Sequence, residues 1–105
     1  MQVYRIAKEY TDAPGGRFQK DGNYSGEEFR EIVLIPMLEK IPLGEKLLID
    51  FDGAFGYPKS FLEESFGGLA RKYTSKLVLE KLDFKSDDEP DVVKRVLRYI
   101  NDVKK

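Results

Sequence analysis

Asp50 and Asp52 close a hydrophobic strand just before Gly53, and Ser60 opens the helix after the next turn, all within the run LLIDFDGAFGYPKSFLEESFGGL from Leu47 to Leu69. These are the residues whose types and spacing could do chemistry. The chain has no histidine and no cysteine, which removes imidazole bases, Ser-His-Asp triads, thiolate nucleophiles, disulfides, Cys-type zinc sites and most transition-metal sites. Any catalysis therefore rests on Asp, Glu, Lys, Arg, Tyr or Ser. The plainest role for Asp50 and Asp52 is to accept from loop amides where the strand ends. The plainest role for Ser60 is a helix N-cap paired with Glu63. Ser60 also suits phosphorylation, because a phosphate at a helix N-terminus meets free amides and the positive end of the dipole, and Lys59 adds a cation. Glu63, Glu64, Asp50 and Asp52 would oppose that charge wherever they lie close.

Arg17 is expected to pair with Glu64 or another carboxylate at the turn and so hold the Gly-rich segment against the helix start. Pro14-Gly15-Gly16-Arg17 offers a second place for a phosphate but lacks a Walker pattern. Phe55, Tyr57 and Phe61 cluster around the same turn. Buried, they are core; exposed, they favour contact with a protein.

The surroundings narrow the function classes. A chain of 105 residues with 41% hydrophobic content should form one compact domain over 1–105 with one core. Its net charge of −1 with 35% charged residues lacks the basic field with which nucleic-acid binders displace counterions from phosphates. No apolar run approaches the roughly 20 residues of a membrane helix, and the first residues carry no apolar signal-peptide core. A cytoplasmic protein is the expectation, with no membrane and no nucleic-acid partner; the oligomeric state is not legible.

Several elements position the turn. Val3–Ile6 reads as a strand near a sheet edge. Arg17-Phe18-Gln19, between two turn signals, reads as a second strand, paired as a hairpin. Ser25-Gly26-Glu27-Glu28 is a capping box opening a helix with Phe29, Ile32, Val33 and Met37 on its buried stripe, and Pro36 should kink or restart it. Lys46–Asp52 reads as the central strand, parallel to a neighbour. A helix from Ser60 buries Phe61, Leu62, Phe66, Leu69 and Tyr73. Gly67 and Gly68 within it cost about 1 kcal/mol each relative to Ala, which points to close approach by another element or a partner. Leu77–Leu82 reads as a further core strand. The acidic stretch 83–91 leads into a last helix with Pro90 in its first turn and Lys104-Lys105 near its negative end. The alternation of strands and helices gives an α/β two-layer sandwich, a small mixed sheet of about four strands with helices packed on it.

Asp50-Phe51-Asp52-Gly53, then Ser60-Phe61 with Glu64 and Gly68-Leu69, together with Gly16-Arg17 and the final helix, resemble the STAS-like domain family of unknown function, related to the STAS domains of anti-sigma factor antagonists. The resemblance covers most of the chain. It implies a noncatalytic regulatory domain that binds a protein partner, a histidine-kinase-type ATPase or a serine kinase, without cofactor or metal. In the antagonists a serine at the start of the helix after the central strand is phosphorylated, and Ser60 falls at that place. Pro58-Lys59-Ser60-Phe61 departs from the antagonist pattern Asp-Ser-Ser-Gly. The resemblance assigns partner binding and regulation to Asp50, Asp52, Lys59, Ser60, Phe61 and Glu64, and structural support to Arg17, Gly53 and Gly68.

A strand followed by Asp-x-Asp-Gly also resembles the first motif of haloacid dehalogenase-type phosphatases. That resemblance implies Asp50 as nucleophile, Asp52 as general acid/base and Mg²⁺ bridging carboxylate and phosphate. Against it, Ala54 stands where that motif has Thr, and the motif lies mid-chain. The noncatalytic reading is preferred over this enzymatic one.

Overall fold

The computed structural model describes residues 2–103. Its sheet has three strands, β1 (Gln2–Arg5), β2 (Leu47–Asp50) and β3 (Leu82–Lys85), all parallel and in the order β1-β2-β3. The small sheet is therefore wholly parallel, not a mixed sheet of about four strands. Central β2 follows its sequence pattern: Leu47 and Ile49, with Phe51 just beyond, are buried, while Leu48 and Asp50 on the other face are half-buried. The register sets Arg5 beside Asp50 and Asp50 beside Lys85, so all three strands end level with one another.

Five helices accompany the sheet: α1 (Ile6–Glu9), α2 over 26–40, α3 over 59–73, α4 (Ser75–Lys81) and α5 (Pro90–Asn101). Ser25 caps α2 as expected, its hydroxyl accepting from the Glu28 amide at 3.0 Å. The Glu28 carboxylate does not return the bond to Ser25; it accepts from the Tyr10 hydroxyl instead. Both long helices widen to π geometry midway, α2 over Phe29–Leu34 and α3 over Glu63–Gly67. In α2 the Ile35 amide donates to the Arg30 carbonyl, and the ladder returns to α spacing over Ile35–Lys40. Pro36 thus sits where the bonding changes register, and the helix continues through it.

Three further sequence readings are corrected. Ile32 is not on the buried stripe of α2 but 62% exposed. Arg17-Phe18-Gln19 is not a strand: Gln19–Asp21 forms a 3₁₀ turn, and the Gln19 amide donates to Glu27 at 2.9 Å. Leu77–Leu82 is mostly α4, whose cap is Thr74 accepting from the Leu77 amide at 3.2 Å; the strand begins only at Leu82. Lys104 and Lys105 lie outside the described residues.

The core is aromatic. Phe29 of α2 packs on Phe61 and Phe66 of α3 at ring separations of 5.6 and 6.1 Å, and Phe66 in turn meets Phe51 at 5.6 Å. This brings α2 so close to α3 that a Cβ on Gly26 would sit 2.5 Å from the Phe61 carbonyl oxygen. Backbone cannot yield as a side-chain tip can. Gly26→Ala, ordinarily an improvement in a helix, is expected to cost about 1–3 kcal/mol through overpacking. Thermal unfolding should show a Tm at least about 4 °C lower.

Candidate functional site

At the carboxyl end of the sheet, two consecutive carboxylate-bearing segments face each other because β2 and β3 end in register. One Asp52 oxygen accepts from the amides of Asp87 (2.7 Å) and Asp88 (2.9 Å), and the other from the Lys85 ammonium (2.7 Å). Asp88 returns the contact by accepting from the Gly53 amide at 2.9 Å. Gly53 stands at φ +92°, a left-handed conformation that glycine adopts without Cβ strain. Asp50 accepts from the Asp52 amide at 2.9 Å and lies 3.9 Å from Lys85. Lys85 also meets Asp87 at 3.0 Å. The sequence reading of Asp50 and Asp52 as acceptors for loop amides therefore describes what they do.

Desolvation pushes the Asp52 carboxyl up, but the Asp88 amide, the Lys85 ammonium and the Asp87 amide together outweigh it and hold the group below its ordinary value. The Lys85 ammonium is held above its usual range by hydrogen bonds to Asp52 and Asp87. Both oxygens of Asp52 are thus engaged in holding the segment after β3 to the end of β2. Among the described residues no three Asp or Glu side chains converge to hold a metal ion.

The loop leaving β2 is fixed at two further points. The Tyr57 hydroxyl donates to the Phe51 carbonyl at 2.8 Å, and the Phe55 amide donates to the Asp12 carbonyl at 2.8 Å. Burial, with the charges of Asp50 and Asp52, pushes the Tyr57 phenol well above its ordinary value. Phe55 itself projects outward, 87% exposed. Lys59 is exposed and Ser60 half-buried at the start of α3.

Ser60 is not the N-cap. Pro58 holds that position with φ −58°, no side chain caps the helix, and Ser60 lies inside its first turn. Glu63, its expected capping partner, instead accepts from Arg17 at 2.6 Å and Arg71 at 2.5 Å. Phe61 is fully buried against Phe29 and Tyr57, so it is core and not a partner contact.

Glu64 likewise belongs to the seam between α2 and α3. It accepts from Arg30 at 2.6 Å and from Arg17 at 3.2 Å, its side chain 12% exposed. Arg17 pairs as expected and bridges both glutamates. Gly68 lies under the Arg30 guanidinium, where an added Cβ would run into Arg30 Nη1, so a side chain there would push that guanidinium away from Glu64. Sequence reasoning missed Lys85, Asp87 and Asp88 because it ended the third strand at Leu82. The signal was present: Lys85-Ser86-Asp87-Asp88 runs out of β3 as Asp50-Phe51-Asp52-Gly53 runs out of β2, each from the last residue of its strand.

Compared with known families, residues 25–92 match a model described as a STAS-like domain of unknown function. No curated protein and no solved structure matches the chain. The matched span holds α2, β2, the exposed turn, α3, α4, β3 and the Lys85–Asp88 half of the clamp.

Two measurements check this geometry. Ser60→Ala should change stability by less than about 0.5 kcal/mol, since no cap is lost; Ser25→Ala should cost about 1 kcal/mol. Urea titrations of both variants decide between these roles. The depressed Asp52 value gives a pH dependence with a definite sign: its contribution is complete above the ordinary carboxyl range and is lost as pH falls through the folded-state value. Asp52→Asn should be less stable than wild type by about 1.5–3 kcal/mol at about pH 7, and should lose less further stability on acidification to about pH 3.

Proposed function

This chain belongs to the STAS-like domain family of unknown function, and from that premise we propose that it is a noncatalytic regulatory domain that binds a protein partner at the carboxyl end of its sheet. The single observation that carries this reading is Phe55, 87% exposed on a loop whose backbone is fastened to Asp12 on one side and, through Gly53 and Asp52, to the 87–88 segment on the other. A large aromatic held outward by a fastened loop presents its apolar area at little conformational cost, which is what a binding anchor requires. Open parallel sheets also place their binding sites outside the carboxyl ends of their strands.

The contact surface is smaller than the sequence implied. It consists of Phe55, Lys59 and Ser60 above the clamp of Asp50, Asp52 and Gly53, whereas Phe61 and Glu64 support it from behind. The partner class is a histidine-kinase-type ATPase or a serine kinase, on the resemblance to the anti-sigma factor antagonists. Ser60 is the residue on this corner for such a kinase to modify. Capping does not use its hydroxyl, and a phosphate there would add about −1.5 to −2 charge at a helix N-terminus. The phosphatase reading gains no such support, because Asp52 is spent on Lys85 and two amides.

Retention of a stoichiometric partner from native lysate tests the reading. Wild type should copurify with a defined protein, and Phe55→Ser should lose it while its stability stays within about 0.5 kcal/mol of wild type. Equal retention by both proteins would overturn the assignment of this corner.

A further inference from the structure

The link between α3 and α4 is strained. Among the described residues Tyr24 and Thr74 are the non-glycine residues with positive φ, at 58° and 112°. Tyr24 sits in the ordinary left-handed region, whereas Thr74, with ψ 151°, occupies a region that essentially only glycine visits. A β-branched residue is poorly suited to it. Thr74 is the whole link, since α3 ends at Tyr73 and α4 begins at Ser75. It also belongs to both hydrogen-bond ladders, its amide donating to the Ala70 carbonyl at 2.8 Å and its carbonyl accepting from the Val78 amide at 3.2 Å. Both bonds have the spacing of an unbroken α-helix. Turning this one residue to helical φ and ψ would fuse α3 and α4 into a single helix over 59–81. The amides of Ser75, Lys76 and Leu77 would then meet the carbonyls of Arg71, Lys72 and Tyr73, which the break takes out of the ladder. The Thr74 side chain is exposed, so its own packing does not impose the angle. The fold imposes it, because α4 must turn back for β3 to reach β2 of the same chain.

We propose that two copies of the chain form an exchanged dimer, in which Thr74 relaxes to helical geometry and each copy lays its 75–103 segment, carrying α4, β3 and α5, on the 2–73 part of the other. A short hinge under strain favours such exchange, and only a second copy carries a segment that fits the place each one leaves. The contacts across the hinge are remade unchanged. Lys81 donates to the Ile41 carbonyl at 3.1 Å, Lys46 meets Asp83 at 3.3 Å and Lys85 meets Asp52 at 2.7 Å. In the dimer the same groups meet, supplied by different chains, and β3 pairs with β2 in the same register. The Ser75 hydroxyl keeps its bond to the Ile100 carbonyl, since both lie in the exchanged segment. The two forms therefore differ at the hinge, where the dimer relieves two strained residues and extends two helices, and in the freedom lost on association, which concentration offsets. Because β3 and α5 must leave the core before they can exchange, the forms interconvert slowly. The Phe55 corner is built from the same residues in either form, so this proposal stands apart from the partner-binding reading.

Refolding the whole chain from denaturant at micromolar and at millimolar concentration, followed by size-exclusion chromatography at micromolar concentration, tests this. Wild type should give monomer from the dilute sample and, from the concentrated one, a dimer that persists after dilution. Thr74→Gly removes the strain, weakens the fused helix and gives up only a minor cap. It should weaken the association at least about tenfold and raise the Tm of the monomer. Thr74→Ala keeps the strain and strengthens the fused helix, so it should increase the dimer. The chain has no cysteine, and Leu48→Cys with Asp83→Cys, at paired positions of β2 and β3, therefore reports which chain supplies β3. Once oxidised, the dimer should stay covalently joined in denaturant, while the monomer closes its bond within one chain. Phe55→Ser should leave the dimer fraction unchanged, which separates this proposal from the partner-binding reading. A wild-type chain that is monomeric at every concentration, equal dimer from Thr74→Gly and Thr74→Ala, or an oxidised dimer that separates into single chains in denaturant would each overturn it.

Discussion

One carboxylate governs the exposed end of this molecule. Asp52 leaves the central strand and gathers an ammonium and two amides from the segment that follows the neighbouring strand. The register of a parallel pair makes this possible, because Asp50 and Lys85 stand side by side and the residues beyond them emerge together. Hydrogen bonds to a charged group are stronger than neutral ones, and here they act between backbone segments that would otherwise be free loops. The Asp88 contact to Gly53 closes the arrangement from the other direction. Everything proposed for Phe55 follows from the stiffness this gives the turn.

Behind the turn, α3 is held to α2 by close packing and shared charges. Glu64 serves Arg17 and Arg30; Glu63 serves Arg17 and Arg71. Arg17, on the loop before α2, reaches both glutamates and so ties the Gly-rich segment to the start of α3. Single exposed pairs contribute little, but Arg30 and Glu64 are only 15% and 12% exposed, and the Arg30 guanidinium also donates to the Glu64 carbonyl at 2.7 Å. The close approach that Gly26 and Gly68 allow makes these short reaches possible. The helical layer thereby fixes the start of α3, where Lys59 and Ser60 lie.

Much of this was legible from the residues, for reasons that can be named. The alternation in Leu47–Asp52 identified the central parallel strand, the Ser25 cap located the start of α2, and Arg17 was matched to carboxylates across the turn. The errors share a cause: local signals lost to tertiary or backbone competition. Leu77, Val78 and Leu79 have strand-like propensity, yet Thr74 caps the segment as a helix and strand character moves to Leu82 and Phe84, which alternate with Asp83 and Lys85. Ser60 with Glu63 has the form of a capping box, but Pro58 starts the helix earlier and Glu63 is drawn to two arginines. Phe61 lies beside an exposed turn in sequence but faces inward on α3. Only the fold separates it from Phe55.

Hydrogen exchange at individual amides tests the central claim most directly. Gly53, Asp87 and Asp88 lie at exposed positions, where unbonded amides exchange freely. Held by Asp52 and Asp88, their amides should exchange at least about tenfold more slowly than free loop amides. Exchange at the rates of an unstructured loop would mean that the clamp does not hold in solution, and the rigid presentation of Phe55 would fall with it.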